Sequence, residues 1–206
     1  MTDICLKRNI NSGGSKLSKK NVLYIFNDKG FGGAAQSLLD ILTGIKDSVN
    51  PVVVAREDVI IEEKFIEAGI KYYKIRFFLD YVKIGAADEN KKAYDLAQSY
   101  EAALQLLPII KKENIQLIHI NSSVTYFAAI AALMAGIPYV WHIRELPKEQ
   151  FGWEFLNEEL IVNLFKQADK LITISDYVKK SYYEKHNLET IKMYDGLNVK
   201  RYKKRI

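Results

Sequence analysis

Residues 116–145 read QLIHINSSVTYFAAIAALMAGIPYVWHIRE, and the succession of residue types in this stretch decides the fold. Gln116–Ile120 is a short apolar run rich in β-formers and predicts a strand, and a helix is expected from Val124. Gly136 and Pro138 interrupt the apolar run from Val124 to Trp141, so its helical part is too short to cross a bilayer. It reads instead as a buried helix feeding a second strand at Pro138–His142. Strand, crossover helix and strand make the repeating unit of a parallel sheet.

The same alternation extends outward on both sides. Upstream, Val22–Phe26 predicts a strand and Gly33–Ile45 a helix, with Leu38, Leu39, Ile41, Leu42 and Ile45 on its apolar side. Pro51–Ala55 follows as a strand, Ile60–Ala68 as a helix ended by Gly69, and Ile70–Ile75 as a strand. A long helix is expected over Asn90–Glu113, bent at Pro108. Downstream, the pattern predicts a helix from about Trp153, a strand at Lys170–Ile174, a helix after Ser175 and a strand at Thr190–Tyr194. Seven strands alternate with helices without a convincing tight hairpin. The fold class expected is α/β, a doubly wound, mostly parallel seven-stranded Rossmann-like sheet.

Charge is concentrated at the ends. Residues 1–20 hold five Lys/Arg and one Asp, residues 200–206 hold five Lys/Arg and no acid, and the whole chain carries only +5. The stretch between is therefore mildly acidic, which argues against a nucleic-acid partner, since that would need a basic stripe on the folded surface. The basic ends read as solvated tails or as a peripheral contact with an anionic membrane. Residues 1–20 also carry Asn-Ser-Gly-Gly-Ser and are expected to be a disordered leader, with residues 21–198 forming the domain. The single Cys5 allows neither an intrachain disulfide nor a cysteine metal site, and the leader lacks the apolar core of a signal peptide. A cytoplasmic location is expected, or a peripheral one at the inner face of the plasma membrane.

Five polar segments follow the predicted strands, where an open α/β sheet places its ligand crevice. Asn27 to Ala35 is glycine-rich: Gly30, Gly32 and Gly33 would let the backbone approach a ligand beside a helix N-terminus, or would simply make a tight turn. Gly30-x-Gly32-x-x-Ala35 also fits a relaxed dinucleotide fingerprint, with Glu57 or Asp58 after the second strand. Asn121 and Ser122 can bond a sugar hydroxyl, although Ser122 or Ser123 is expected to cap the next helix. His119 reads as a core or cleft-wall histidine. His142, Arg144 and Glu145 put an imidazole, a guanidinium and a carboxylate within four residues, able to polarise a hydroxyl or meet a phosphate. The alternative is a surface ion pair beside a core-edge histidine. Ser175 is expected as an N-cap, and the Tyr194-Asp195-Gly196 turn closes the series.

Taken in order, these segments resemble the N-terminal domain of family 4 glycosyltransferases, the retaining enzymes of GT-B architecture. The matching pieces are Gly32-Gly33, Leu117-Ile118-His119-Ile120-Asn121, Ala135-Gly136-Ile137-Pro138, Val140 to Glu145, Ala168 to Ser175, and Tyr194-Asp195-Gly196-Leu197-Asn198. The resemblance implies a Rossmann-like acceptor domain facing a second, donor-binding domain, with residues 199–206 beginning the linker between them. On that reading the chain alone is inactive, and its partners are a nucleotide-sugar donor, a sugar or lipid-linked acceptor and the missing C-terminal domain. Gly32 and Gly33 would line the cleft beside the donor diphosphate, and His142 would be the catalytic histidine near the reacting sugar. Arg144 and Glu145 match a His-x-Arg-Glu variant of some bacterial polysaccharide enzymes. No metal or other cofactor is implied, in keeping with the lack of an Asp-x-Asp motif.

Two other readings compete. A nicotinamide-dependent reductase or epimerase would use the glycine loop, but no Tyr-x-x-x-Lys pair occurs in the chain. A non-catalytic binding module would need no second domain. The apolar segment Arg76 to Val82 is expected either as an acceptor-side flap or membrane contact, or packed on the long helix.

Overall fold

The computed structural model describes residues 18–30 and 32–196. Residues 1–17 of the leader expected at 1–20, the linker at 199–206 and the pair Leu197-Asn198 lie outside the described residues, and Lys20, the leader's last residue, opens the first strand. The chain runs β1 (Lys20–Phe26), α1 (Gly33–Ile45), β2 (Val49–Arg56), α2 (Glu62–Glu67), β3 (Lys71–Ile75), β4 (Tyr81–Lys83) and α3 (Glu89–Lys112). It continues with β5 (Leu117–Asn121), α4 (Phe127–Ala135), β6 (Tyr139–Ile143), α5 (Pro147–Phe151), β7 (Trp153–Phe155) and α6 (Glu158–Gln167). The last elements are β8 (Lys170–Thr173), α7 (Asp176–His186) and β9 (Ile191–Lys192).

Seven strands form the expected parallel sheet in the order β3-β2-β1-β5-β6-β8-β9. Two-residue periodicity divides its side chains between two cores. Leu23 and Ile25 of β1 and Val52 and Val54 of β2 pack with α3 and α4, while Val22, Tyr24, Phe26, Val53 and Ala55 pack with α1 and α2. The direction of strand addition reverses between β1 and β5. At that switch point the flanking loops diverge and open a crevice at the C-terminal strand ends.

Helix α4 is buried all round over Phe127–Ala132, exposes Leu133 and Met134 in its last turn, and ends on left-handed Gly136 (φ 64°). The long helix α3 is capped by Asp88, which accepts from the Lys91 N–H at 2.8 Å, and remains helical through Pro108. The N–H that Pro108 lacks would have faced the carbonyl of Leu104, whose side chain is exposed.

The structure corrects the expected helix at Trp153. Gly152 ends α5 in a left-handed conformation (φ 66°), and Trp153–Phe155 then pairs antiparallel with Tyr81–Lys83 as a separate two-stranded sheet. Helix α6 starts only at Glu158. Partners some seventy residues apart leave no local hairpin signal. The segment Arg76 to Val82, expected either as a flap or packed on the long helix, is divided between the two settings. Phe77 is a core residue with its ring tilted against Phe127 of α4 (4.5 Å), Val82 is buried, and Phe78 remains exposed.

A buried carboxyl pair fastens this small sheet to the domain. Asp80 accepts from Ser99 Oγ (2.8 Å) and the Tyr126 N–H (2.6 Å), and Asp95 accepts from Tyr126 Oη (2.5 Å) and Asn157 Nδ2 (3.2 Å). Burial, and then the charge of Asp95, hold the Asp80 pKa well above the carboxylate range. The folded chain thus keeps a proton that the unfolded chain releases above about pH 4. That stabilisation is complete below pH 4 and is lost as pH rises through the folded value. Asp80→Asn, which keeps a neutral group in place, is expected to gain stability relative to wild type as pH rises from 5 to 9. Urea midpoints at both ends of the range check this, and an unchanged difference between the two proteins would contradict it.

Candidate active site at the strand tips

The loops after β1, β5, β6 and β8 meet the Tyr194-Asp195-Gly196 turn around a cleft of about 520 Å³. Its lining includes Asn27, Asp28, Gly33, Ser122, Arg144, Glu145 and Asp195, faced by Tyr81, Phe151 and Trp153.

Arg144 organises the floor. Its side chain is only 5% exposed, and Nε donates to Asn121 Oδ1 (2.8 Å), Nη1 to Asp195 Oδ2 (2.6 Å) and Nη2 to Ser37 Oγ (3.0 Å). One planar fork therefore joins β6 to β5, α1 and the C-terminal turn, a geometry that lysine cannot reproduce. Burial works to raise the Asp195 pKa, but the hydrogen bond and charge of Arg144 prevail and hold it below the usual range. Asn121 is as buried as His142, and its Oδ1 accepts from Arg144 Nε, so it orients that side chain.

Glu145 accepts from Ser122 Oγ and from the Ser123 N–H (3.0 Å), and burial raises its pKa. Ser122 has φ +151°, a conformation L-residues rarely adopt. The Trp141 Nε1–H bond to the Ser122 carbonyl (2.6 Å) and the Glu145 contacts hold it there. Ser122 and Ser123 are not the helix caps expected, because α4 begins at Phe127 with Tyr126 in the cap position, and Asp80 accepts the Tyr126 N–H. Ser175 does cap α7, accepting from the Val178 N–H at 3.2 Å.

His142 is 2% exposed, and neither ring nitrogen has a hydrogen-bond partner. Burial, reinforced by the Arg144 charge, lowers its pKa to about 4. The imidazole is therefore neutral near pH 7, with an unmet N–H and an unmet lone pair. His119 lies 5.6 Å away ring to ring, packs on Tyr24 at 5.0 Å, and is pushed by burial to about 3. It is the core or cleft-wall histidine the sequence suggested.

Gly32 and Gly33 are exposed, have no left-handed φ, and a Cβ on either would meet nothing within 4 Å. A tight turn does not explain them; they leave open space over the start of α1. Asp28 faces the Ala35 N–H of that helix, and burial raises its pKa despite the nearby Arg144. In the rival reading Glu57 or Asp58 would hold a ribose. Here Glu57 pairs with Arg76 (3.7 Å), and Asp58 pairs with Arg56 (3.0 Å) and Lys29 (4.0 Å). Among the described residues no cluster of three or more His, Cys, Asp or Glu is placed to hold a metal ion. Nor is any helix among them long and apolar enough to cross a membrane.

Sequence reasoning missed Ser37, Tyr81, Phe151 and Trp153. Only the aromatic character of the last three hinted at a role, since their elements meet through pairing distant in sequence.

A family model described as Glycosyltransferase Family 4 matches residues 31–193. No curated protein sequence matches the chain. Among solved structures, the chain is similar to Anabaena Alr3699/HepE in complex with UDP and glucose, at TM-score 0.65 and 20% identity over 88% of this chain and 46% of that one. It is also similar to a glycosyltransferase from Rickettsia africae, at TM-score 0.65 and 12% identity over 90% and 45%. The Acinetobacter baumannii MurG structure aligns at TM-score 0.54 and 14% identity over 77% and 42%. At these identities the likeness concerns the fold alone, and the chain spans less than half the length of each.

Proposed function

The chain belongs to glycosyltransferase family 4, and from that premise we propose that it is the acceptor-side half of a retaining enzyme. That enzyme moves a sugar from a nucleotide-sugar donor to a polysaccharide or glycolipid acceptor at the cytoplasmic face of the membrane. A donor-binding domain facing the cleft would complete it, and without that domain the chain is inactive. The observation that supports this most is His142, a buried imidazole with two unpaired nitrogens at the tip of a central strand. An unpaired buried polar group costs about 1–3 kcal/mol, and a sugar hydroxyl would satisfy it.

In this reading the acceptor hydroxyl attacks the anomeric carbon from the side of the departing diphosphate, which takes the proton. The protein then supplies position and preorganised polar groups. Neutral His142 donates to or accepts from a hydroxyl of the reacting sugar. Arg144 fixes the floor, and Ser122 and Glu145 hold the strained tip of β5. Gly32 and Gly33 leave room for the diphosphate, whose charge is met by groups outside this chain. No metal or organic cofactor enters the scheme.

The test is transfer of label from radiolabelled UDP-hexoses to glycan or lipid-linked acceptors, by protein carrying this domain together with its donor-binding half. Label is expected to move to the acceptor with its anomeric configuration kept. Absence of transfer across a nucleotide-sugar panel, with NADPH quenching the tryptophan fluorescence, would contradict the proposal and favour the dinucleotide reading.

A further inference from the structure

We infer that the aromatic wall of the cleft is a docking platform for an uncharged pyranose ring of the acceptor. The inference rests on the transferase reading and adds what the acceptor must present to this half.

Tyr81 and Trp153 are stacked at 4.3 Å with 13° between their planes, and Phe151 lies against Trp153 at 4.9 Å. These rings come from the small β4–β7 sheet and the end of α5, outside the seven-stranded sheet. Phe151 is 53% exposed although it borders a cleft, and Tyr81 and Trp153 are half-buried. The facing wall is polar and rich in acceptors: Asn27, Asp28, Ser122, Glu145 and Asp195.

The chemistry of the two walls selects the ligand. Among the described residues Arg144 is the only cation in the lining, and three of its five N–H donors, one on each nitrogen, are already engaged within the chain. Among the described lining residues, a phosphate or carboxylate would meet one cation already engaged by Asp195 and two neutral acceptors, with three carboxyl groups against it. An acyl chain would pack on the rings but would strip water from the carboxyl groups of Asp28, Glu145 and Asp195 opposite without offering them a donor, at a cost of the kind buried polar groups impose. A pyranose satisfies both sides. Its C–H face covers the exposed Phe151 ring, which Trp153 and Tyr81 back from behind, and its hydroxyls donate to the carboxyl groups opposite, as in other pockets with an apolar body and a few convergent polar groups.

Saturation-transfer NMR on this chain tests the platform, with cellobiose, maltose and N,N′-diacetylchitobiose as neutral probes, glucose 1-phosphate as the anionic one and octyl glucoside as the amphiphile. Ring C–H protons of at least one neutral disaccharide are expected to receive saturation. Affinity should fall about tenfold in Trp153→Ala and in the more exposed Phe151→Ala, the step one lost aromatic contact gives. Trp153→Phe should restore most of it, and Phe78→Ser, outside the cleft, should change nothing. Emission from buried Trp141 confirms that each variant is folded. The platform is overturned by an absence of saturation in all three disaccharides, or by binding indifferent to Trp153→Ala and Phe151→Ala. Tighter binding of glucose 1-phosphate overturns it as well, as does saturation confined to the octyl chain. If these results occur while labelled UDP-hexose transfer persists, the platform alone fails. If the platform binds sugar but no transfer occurs, the transferase reading fails.

Discussion

Arg144→Ala is expected to lower the unfolding free energy by about 3–5 kcal/mol, the range for removing one partner of a buried charge pair. The side chain holds three acceptors from three separate segments, Asn121, Asp195 and Ser37. Truncation leaves the Asn121 oxygen buried and unmatched and deprives Asp195 of the cation that lowers its pKa. Asp195 is 32% exposed and regains some hydration, so the loss falls toward the lower end of the range. Arg144→Lys keeps the charge but cannot span three acceptors, and is expected to lose roughly half as much. Adding Asp195→Ala to Arg144→Ala should recover part of the loss by removing the unpaired carboxylate. Urea unfolding followed by Trp141 emission measures each value. A loss below about 1 kcal/mol, typical of a surface ion pair, would show that Arg144 does not organise the site.

The second large effect belongs to His142. His142→Ala in the two-domain enzyme should lower turnover by about 10²–10³, as expected for loss of one preorganised polar contact. His142→Phe fills the same space without orphan nitrogens, so it should lose a similar factor in turnover while gaining about 1 kcal/mol in stability. Activity and stability then move in opposite directions, which a purely structural histidine would not produce. The pH dependence follows from the lowered pKa of about 4. The unfolded imidazole takes up a proton near pH 6.5 and the folded one does not. Its contribution to stability is therefore full above about pH 6.5 and declines as pH falls toward 4. His119, also held low, adds to the same decline. A phenylalanine at 142 should reduce this acid sensitivity. Near-normal turnover in His142→Ala would remove the residue from the site.

The main sheet was legible because β1, β2, β5, β6 and β8 are short apolar runs followed by helix signals, and such local periodicity carries over directly into a parallel sheet. The second layer of information was not local. Nothing near Trp153 announces that it pairs with Lys83 across the chain, so the segment read as the start of a helix. Ser122 looked like a cap because serine before an apolar helix usually is one; Glu145, twenty-three residues on, claims it instead. At the site, the cluster around His142 and Arg144 was visible as a motif after a strand. The direction each side chain takes was not. Asn121 and Arg144 face each other rather than solvent because β5 and β6 are adjacent and in register, Asn121 beside His142. Ser37 could not be read from sequence at all, since a serine in the middle of an amphipathic helix gives no sign that a buried guanidinium will reach it.

The most direct test of this account compares wild type with His142→Phe in the two-domain protein, reading UDP-hexose transfer and the urea midpoint on the same preparations. The account predicts transfer reduced by about two to three orders of magnitude with an equal or higher midpoint. Equal transfer in the two proteins would contradict it.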